Sequence, residues 1–592
     1  MIDSRASNVL LTMRRRSGPG WGRWLTVVSA VIAVLSFNLV ANTTSGADAY
    51  WTNAIEIPGL ASLNQTTAVT GPIACTSSGN CVSGGTFTDG SVAQQAFISQ
   101  ETNGVWSSAI EVAAALNVGG AAGMIAISCP TAGSCTAEGS YTDLSSIVHT
   151  FVLNQVNGAW GYPTEVPDFT TLALDDASEM NTLSCTSNTT CVGVGSYVDH
   201  VTGTAQPILF TETNGVWAAP VEAQGSAAFN PSGLAIVGGL DCASATTTCV
   251  VVGNVLDQPA SGETVVPFLI DENNGVWGAI EEVPGISVLS RLNEAATTAL
   301  SCGAPGDCAA GGNYLDSSGE SQAFTLNEVG GAWGTATQLL ATQLLGSGVS
   351  NTLSGIACPS AGNCSAIGGF TDSKGNPQPF VVGETNHVWS RAFEIPGIQA
   401  LNDDVGAALN TISCSAVGAC SAGGAYTDAA NKTQAFLVNE SSTTWSNPIE
   451  VPGTSSLNKG GAAMIWQVSC SEDGGCGVQG SYTDARQNVQ LFVVNSSAMA
   501  PTMVSSVPRR VTAVDTKGVI TVRWSAPKSN GGIAITSYTV VSLPGSRTCV
   551  TRSTSCTFKG LKKKLQYSFE VRATNKDGSS ALSAKSNAVH DG

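Results

Sequence analysis

Charge is scarce in this chain: only 11% of its 592 residues are Asp, Glu, Lys or Arg, and histidine occurs four times. With 66 glycines beside so few charges, the composition favours many short strands joined by tight turns over helices. Long apolar runs are also missing, apart from Trp24–Val40 near the N-terminus. No Gly-x-Ser-x-Gly elbow, His-Glu-x-x-His helix or phosphate-binding loop occurs, so none of those motif-built sites is present. Nor is any cysteine left over, since all 18 fall in close pairs.

The one apolar run has a targeting context. Arg14, Arg15, Arg16 and Arg23 precede or open it, and Ala47-Asp48-Ala49 fits the small-x-small cleavage rule. Residues 1–49 are therefore expected to be a secretory signal, with the mature chain starting near Tyr50. An uncleaved anchor is the alternative, because the run approaches the roughly 20 residues that span a bilayer. In an oxidising compartment the paired cysteines read as nine local disulfides. The expected partners are Cys75 with Cys81, Cys129 with Cys135, Cys185 with Cys191, Cys242 with Cys249, and Cys302 with Cys308. The others are Cys358 with Cys364, Cys414 with Cys420, Cys470 with Cys476, and Cys549 with Cys556.

The first eight pairs mark a repeat. Their leading cysteines are spaced 54, 56, 57, 60, 56, 56 and 56 residues apart, a period that signals an array of supersecondary units. Each unit contains four strand-like runs: one ending at the leading cysteine, one leaving the trailing cysteine, one with an aromatic, and one starting at tryptophan, as in Trp160 to Val166. Four antiparallel strands repeated eight times predict an all-β, eight-bladed β-propeller over residues 50–497. The eighth unit lacks a tryptophan strand, and the array begins with an orphan one at Trp51–Gly59. Pairing the two closes the ring and leaves no edge to cap.

Recurring positions read as framework. A bridge across so short a loop pins the mouth of a hairpin and contributes about 2 kcal/mol, whereas eight cysteine pairs without histidines lack a tetrahedral metal set. A glycine four residues after the second cysteine, as at Gly139, marks a bulge or close backbone approach. The aspartate that follows, as at Asp143, caps its own hairpin turn. The tryptophans are expected to pack between blades with their N–H groups satisfied by a neighbour. The Gly-x-Trp endings resemble the hairpin of sialidase-like Asp-box propellers, also distantly kelch-like; the resemblance implies fold kinship and carries no catalytic residue across.

Charge divides the chain: residues 51–499 carry a net charge of −31 and residues 500–592 a net of +10. The acidic part repels nucleic acid and anionic surfaces. After a linker over 498–508, residues 509–592 resemble a fibronectin type III domain, through Val522-Arg-Trp524-Ser-Ala-Pro527, Ile535-Thr-Ser-Tyr538, Gly560-Leu561, Tyr567-Ser-Phe-Glu-Val571 and Ala573-Thr-Asn575. The resemblance implies a β-sandwich acting as spacer or adhesion module, a frequent companion of extracellular polysaccharide-degrading enzymes, with the Cys549 to Cys556 bridge cross-linking one hairpin.

A reaction needs one site, so catalytic residues should break the symmetry. His149 stands where other units have glutamine, Glu138 where they have glycine, valine, isoleucine or glutamine, and Asp175, Asp176 and Glu179 crowd the entry to the third unit. Two carboxylates roughly 5–9.5 Å apart are what a glycosidase requires, and Glu138 with one of that trio is the candidate pair. The sequence thus predicts a secreted, monomeric, non-catalytic scaffold that binds an extracellular glycan or protein. It is expected to have no metal, cofactor, nucleic-acid partner or membrane span after signal cleavage. A polysaccharide-degrading glycosidase, or its accessory, is the alternative.

Overall fold

The computed structural model describes residues 51–592 except 168–172, 188, 200–202, 232, 244–247, 258–263, 274, 340–349, 403–404, 497–504, 506, 529–534, 576–577, 581 and 591–592; for 173–178, 257 and 578 only the backbone is described. The expected signal over 1–49 and most of the 498–508 linker lie outside these residues. The described chain is all-β, with one-turn helices such as Leu60–Leu63 and Thr454–Leu457 between units. No helix among the described residues is long and apolar enough to cross a membrane.

Each repeat unit forms an open antiparallel sheet, those of units three and four being joined by one parallel pairing of Ala205 with Leu234. In the second unit Ala122–Thr131, Ser134–Thr142 and Val148–Val156 lie side by side in chain order, and Ala159–Trp160 and Thr164–Glu165 both pair with the third strand. The tryptophan strand is therefore broken in two, not continuous from Trp160 to Val166. In the first unit Trp106 faces Glu101 and Ile110 faces Ile98, so one extra residue bulges out of the ladder between them. Ser107, in that bulge, accepts from the Gln100 N–H through its hydroxyl (3.1 Å).

The eight repeat cysteine pairs all form disulfides, with Cα–Cα distances of 3.9–4.1 Å. Cys75 bonds Cys81, Cys129 bonds Cys135, Cys185 bonds Cys191, and Cys242 bonds Cys249. Cys302 bonds Cys308, Cys358 bonds Cys364, Cys414 bonds Cys420, and Cys470 bonds Cys476. Each clips the first hairpin of its unit, as at Cys75 opposite Cys81.

The bridges sit across the first hairpin, as the spacing predicts, and every trailing cysteine is also buried. Cys81, Cys135, Cys191 and Cys249 belong to the cores packed around the first four units. Cys308, Cys420 and Cys476 do the same in the fifth, seventh and eighth units, and Cys364 in the sixth. The second strand runs through the middle of its sheet, so its first residue is already covered by the neighbouring unit. The sulfurs thus add apolar packing as well as a cross-link.

The repeated glycine is a close approach: a Cβ on Gly139 would lie 2.3 Å from the Gly123 carbonyl oxygen and 2.7 Å from the buried Phe151 ring. The aspartates cap their turns as expected; Asp143 Oδ1 accepts from Ser145 N (2.8 Å) and Ile147 N (2.9 Å). Those hydrogen bonds hold the Asp143 carboxyl below its ordinary pKa.

Neighbouring units meet through one recurring bond. The leading cysteine's N–H donates to the serine hydroxyl just before the previous unit's leading cysteine: Cys185 to Ser128 (2.9 Å), Cys358 to Ser301 (3.1 Å) and Cys470 to Ser413 (2.9 Å). In the fifth unit Cys302 finds Asp241 in place of serine, at 2.8 Å. The first unit makes the same bond to the eighth, Cys75 N to Ser469 Oγ at 3.0 Å. The orphan strand pairs there too, Ile55 opposite Val493 and Glu56 opposite Phe492, antiparallel.

Residues 509–590 form two facing sheets, one of Arg509–Asp515, Val519–Ser525 and Ser555–Lys559, the other built around Ser537–Leu543 and Gln566–Asn575. Their core holds Trp524, Tyr538, Phe558, Tyr567 and Phe569. The Cys549–Cys556 bridge does not cross-link a hairpin ladder. Cys549 pairs with Val540 in one sheet and Cys556 with Val522 in the other, so the disulfide ties the sheets together across a Cα–Cα distance of 6.6 Å. The chain changes sheet between the two cysteines, which periodicity alone does not reveal.

Candidate functional site

Glu138 sits in the middle of the second strand of its unit, opposite Ala126 and Val152. The role of this position is plainest in the eighth unit, where Gln479 reaches into the first. Its amide donates to Ser83 Oγ (2.6 Å) and the Gly84 carbonyl (2.8 Å), and its oxygen accepts from Gly71 N (3.1 Å). Glu138 has the same strand position but no such bonds: it is 0% exposed and neither carboxylate oxygen has a hydrogen-bond partner. Burial, and then the neighbouring Glu179 charge, push its pKa well above the carboxylate range. Glu179, on the first strand of the third unit, is itself raised by burial despite a hydrogen bond with Ser140.

The structure thus brings Glu138 and Glu179 together at the junction of units two and three. A glycosidase pair must flank a substrate bond, and a side chain with no accessible surface touches no substrate. The side chains of Asp175 and Asp176 lie outside the described residues.

His149 belongs to a different cluster. Its ring stacks on Tyr141 (centroids 5.2 Å apart), with Nε2 3.6 Å from Asp143 Oδ2 and Nδ1 3.5 Å from Glu165 Oε1. Tyr141 donates to Glu165 Oε1 at 2.5 Å. This is framework with one substitution: Gln95 and Gln434 bind Asp89 and Asp428 at the matching place (3.0 and 2.9 Å), and Tyr426 donates to Glu450 (3.2 Å).

A row of buried glutamates went unnoticed in the sequence. Glu101, Glu212, Glu272, Glu328, Glu384 and Glu440 close the third strands of their units and are at most 5% exposed. Gln155 and Ser496 hold the corresponding places in units two and eight. Each glutamate faces the tryptophan of the next strand, as Glu101 faces Trp106 and Glu272 faces Trp277. On the other side Cys191 opposes Glu212 and Cys249 opposes Glu272, while Glu328 N donates to the Cys308 carbonyl (2.8 Å).

Burial raises all six carboxyls, with Glu101, Glu272 and Glu328 pushed to about 7. For Glu328 the Asp271 and Asp307 charges add to the effect of burial. Partial compensation comes from the preceding unit: Asn327 donates to Glu384 and Asn495 to Glu101. One oxygen each of Glu101, Glu272 and Glu328 remains unpaired. A signal for this row does exist in the sequence. Phe97, Ser99 and Glu101 alternate onto one face of their strand, and buried Phe97 identifies it as the core face.

The tryptophans only partly meet expectation. Trp333 and Trp389 donate to the preceding unit, to Asp271 and Asn327, each at 3.0 Å. The buried N–H groups of Trp106, Trp160, Trp217 and Trp277 have no partner. Trp466 was also missed; it occupies a bulge in the first strand of unit eight, 40% exposed, with its N–H on Ser481 Oγ (3.0 Å). A cleft of about 320 Å³ opens between units one and two beside Glu101 and Gln155. Another of about 780 Å³ lies between units five and six, lined by Trp333, Gln338, His387 and Trp389. Cys358, Cys364 and Glu384 are the one grouping of potential metal ligands among the described residues, and its two sulfurs are joined in a disulfide.

Residues 506–589 match the fibronectin type III domain model, and the C-terminal sandwich is such a domain. No curated protein matches the sequence. Among solved structures, titin kinase with its flanking domains is 33% identical over 14% of this chain, with a TM-score of 0.14. The chain spans 17% of that structure's length. Titin module A71 from human cardiac muscle is 30% identical over 14% of this chain and 90% of its own, TM-score 0.13. The Hadza microbial sialidase Hz136 is similar over 58% of this chain and 68% of its own, at 11% identity and a TM-score of 0.30. Nothing about activity follows from these likenesses.

Proposed function

We propose that this chain is an exported, non-catalytic binding protein. In this reading residues 1–49 are a secretory signal. Residues 50–497 form an eight-bladed β-propeller closed by its N-terminal strand, whose loops and inter-unit clefts recognise an extracellular glycan or protein. The fibronectin type III domain over 509–592 follows a linker over 498–508. The recurrence of one inter-unit bond, from the eighth unit to the first as elsewhere, supports the closed ring. Nine disulfides support export. The sealing of Glu138 carries the non-catalytic reading: one carboxylate of the best pair in the sequence has no surface to offer a substrate.

A glycoside hydrolase remains the second reading, favoured by the perturbed Glu138–Glu179 pair. Glu138→Gln separates the two. Under the binding reading, glycan-array signals are unchanged and neither protein releases reducing sugar. The variant also gains about 1–3 kcal/mol at pH 8, because an unpaired buried carboxyl is replaced by a neutral amide. The gain vanishes near pH 4, where the wild-type carboxyl is protonated both folded and unfolded. Release of reducing sugar by the wild type, lost in the variant, would overturn the binding reading.

A further inference from the structure

Three separate turns of the fibronectin type III domain bring basic side chains to one end of the sandwich. Val519 pairs with Lys559, which places Lys517, in the turn before Val519, beside the loop that follows Lys559. Arg547, from the connection after Leu543, donates from Nη1 to the carbonyls of Lys559 (3.1 Å) and Gly560 (3.0 Å). The 559–566 loop adds Lys562, Lys563 and Lys564, and Tyr567 anchors it by accepting from Lys562 N at 3.0 Å while Leu561 is buried. All six basic side chains are exposed. None makes an ion pair with a carboxylate among the described residues.

The only acid on these turns is Asp515, which accepts from Gly518 N (3.1 Å). The patch also lies at the far end of the domain from chain entry: Arg509 pairs with Ser525 at one end, Asp515 with Ile520 at the other.

We infer that this end of the domain is a docking surface for an extracellular anionic polysaccharide, so that the domain is more than a spacer. Charge complementarity carries the argument: six cations fixed on braced loops hold a concentrated positive field that screening weakens but does not cancel. Five of the six are lysines, point charges without the planar fork that selects phosphate bidentately. The three turns carry no exposed aromatic side chain on which bases would stack. An acidic polysaccharide, rather than a nucleic acid, matches those features. The inference rests on the export reading for the polymer's location, but not on the propeller or on the absence of catalysis.

The test is retention of the full chain on immobilised polygalacturonate across a salt gradient, with three proteins compared. Wild type is expected to bind at low salt and elute as salt rises. The variant Lys562→Ser/Lys563→Ser/Lys564→Ser is expected to bind at least about tenfold more weakly. Lys528→Ser/Arg552→Ser/Lys585→Ser, which removes the same net charge from exposed positions elsewhere in the domain, is expected to stay within about twofold of wild type. Equal losses in both variants would reduce the effect to net charge and overturn the inference. So would equally tight, Lys562–Lys564-dependent binding of a single-stranded DNA of matched charge, or low-salt self-association through the acidic repeats, seen by light scattering and abolished by the same substitutions. Loss of retention with glycan-array binding intact would leave the proposed function standing, and the reverse result would leave this inference standing.

Discussion

Raising the pH from 5 to 8 is expected to lower the melting temperature of the repeat region by several degrees. The cause is the row of glutamates closing the third strands. In the unfolded chain their carboxyls titrate near 4.5; in the folded protein burial holds Glu101, Glu272 and Glu328 at about 7 and raises Glu212, Glu384 and Glu440 as well. Between those values the folded state binds more protons than the unfolded one, so stability falls as pH rises. The loss begins above 4.5 and is complete once the folded carboxyls ionise.

The exposed turn aspartates act in the opposite direction. The Ser91 hydroxyl, followed by Gln95, holds Asp89 at about 2, and hydrogen bonds lower Asp143 and Asp428 too. Their contribution is present above about pH 4 and is lost as pH falls toward 2. The two sets together place the stability maximum between about pH 4 and 5, on the acid side of the usual optimum. Differential scanning calorimetry from pH 3 to 9 reads this directly. Glu272→Gln with Glu328→Gln should flatten the alkaline limb and leave the acid limb unchanged. A melting temperature that climbs from pH 5 to 8 would show that these carboxyls are ionised in the folded protein.

Cutting the N-terminal strand from the last unit is expected to have the other large effect. Trp51, Ala54 and Ile57 are buried, at 4%, 6% and 0% exposure. Trp51 and Ala54 pack into the core of the eighth unit, Ile57 into a core shared with the first. The backbone follows, with Thr52 N on the Asn495 carbonyl (2.8 Å), Ala54 N on Pro452 (2.7 Å) and Ile57 N on Leu491 (3.1 Å). Glu56 accepts from Tyr482 at 2.5 Å. Ile57→Ala should cost about 2–5 kcal/mol, the range for truncating a sealed core side chain. Deleting residues 51–57 should do more, since it uncovers the Val489–Asn495 strand as an unpaired apolar edge prone to association. Chemical denaturation and light scattering report both effects. A loss below about 1 kcal/mol for Ile57→Ala would mean that the first and last units hold together without this strand.

Much of the fold was legible because each unit repeats its local chemistry. The cysteine spacing places both sulfurs across one hairpin, the glycine four residues on meets the Phe151-type ring, and the lone tryptophan strand at Trp51 marks the unit that lacks one. Four features escaped for identifiable reasons. The one-turn helices such as Leu60–Leu63 are shorter than any helical period. The bulge at Ser107 is set by a side-chain bond rather than by hydrophobic alternation. Burial of the trailing sulfurs, as at Cys308, Cys420 and Cys476, is imposed by the adjoining unit and leaves no mark on the spacing. Cys549 and Cys556 are near neighbours in sequence whether they share a ladder or bridge two sheets.

Around the candidate site the division is sharper. The sequence alone established a repeated, disulfide-clipped, all-β framework, because period, alternation and turn chemistry are local, and its C-terminal motifs resemble a fibronectin type III domain. It also singled out Glu138 as a break in that period, with one of Asp175, Asp176 and Glu179 as its partner. Only the tertiary structure decided that Glu138 and Glu179 meet at a junction between units and that Glu138 has no exposed surface. It likewise placed six further glutamates in the interior and gathered Lys517, Arg547 and Lys562–Lys564 from three turns onto one end of a sandwich. Desolvation and field strength depend on what neighbouring units and loops place around a side chain, and that surrounding is assembled from residues far apart in the chain.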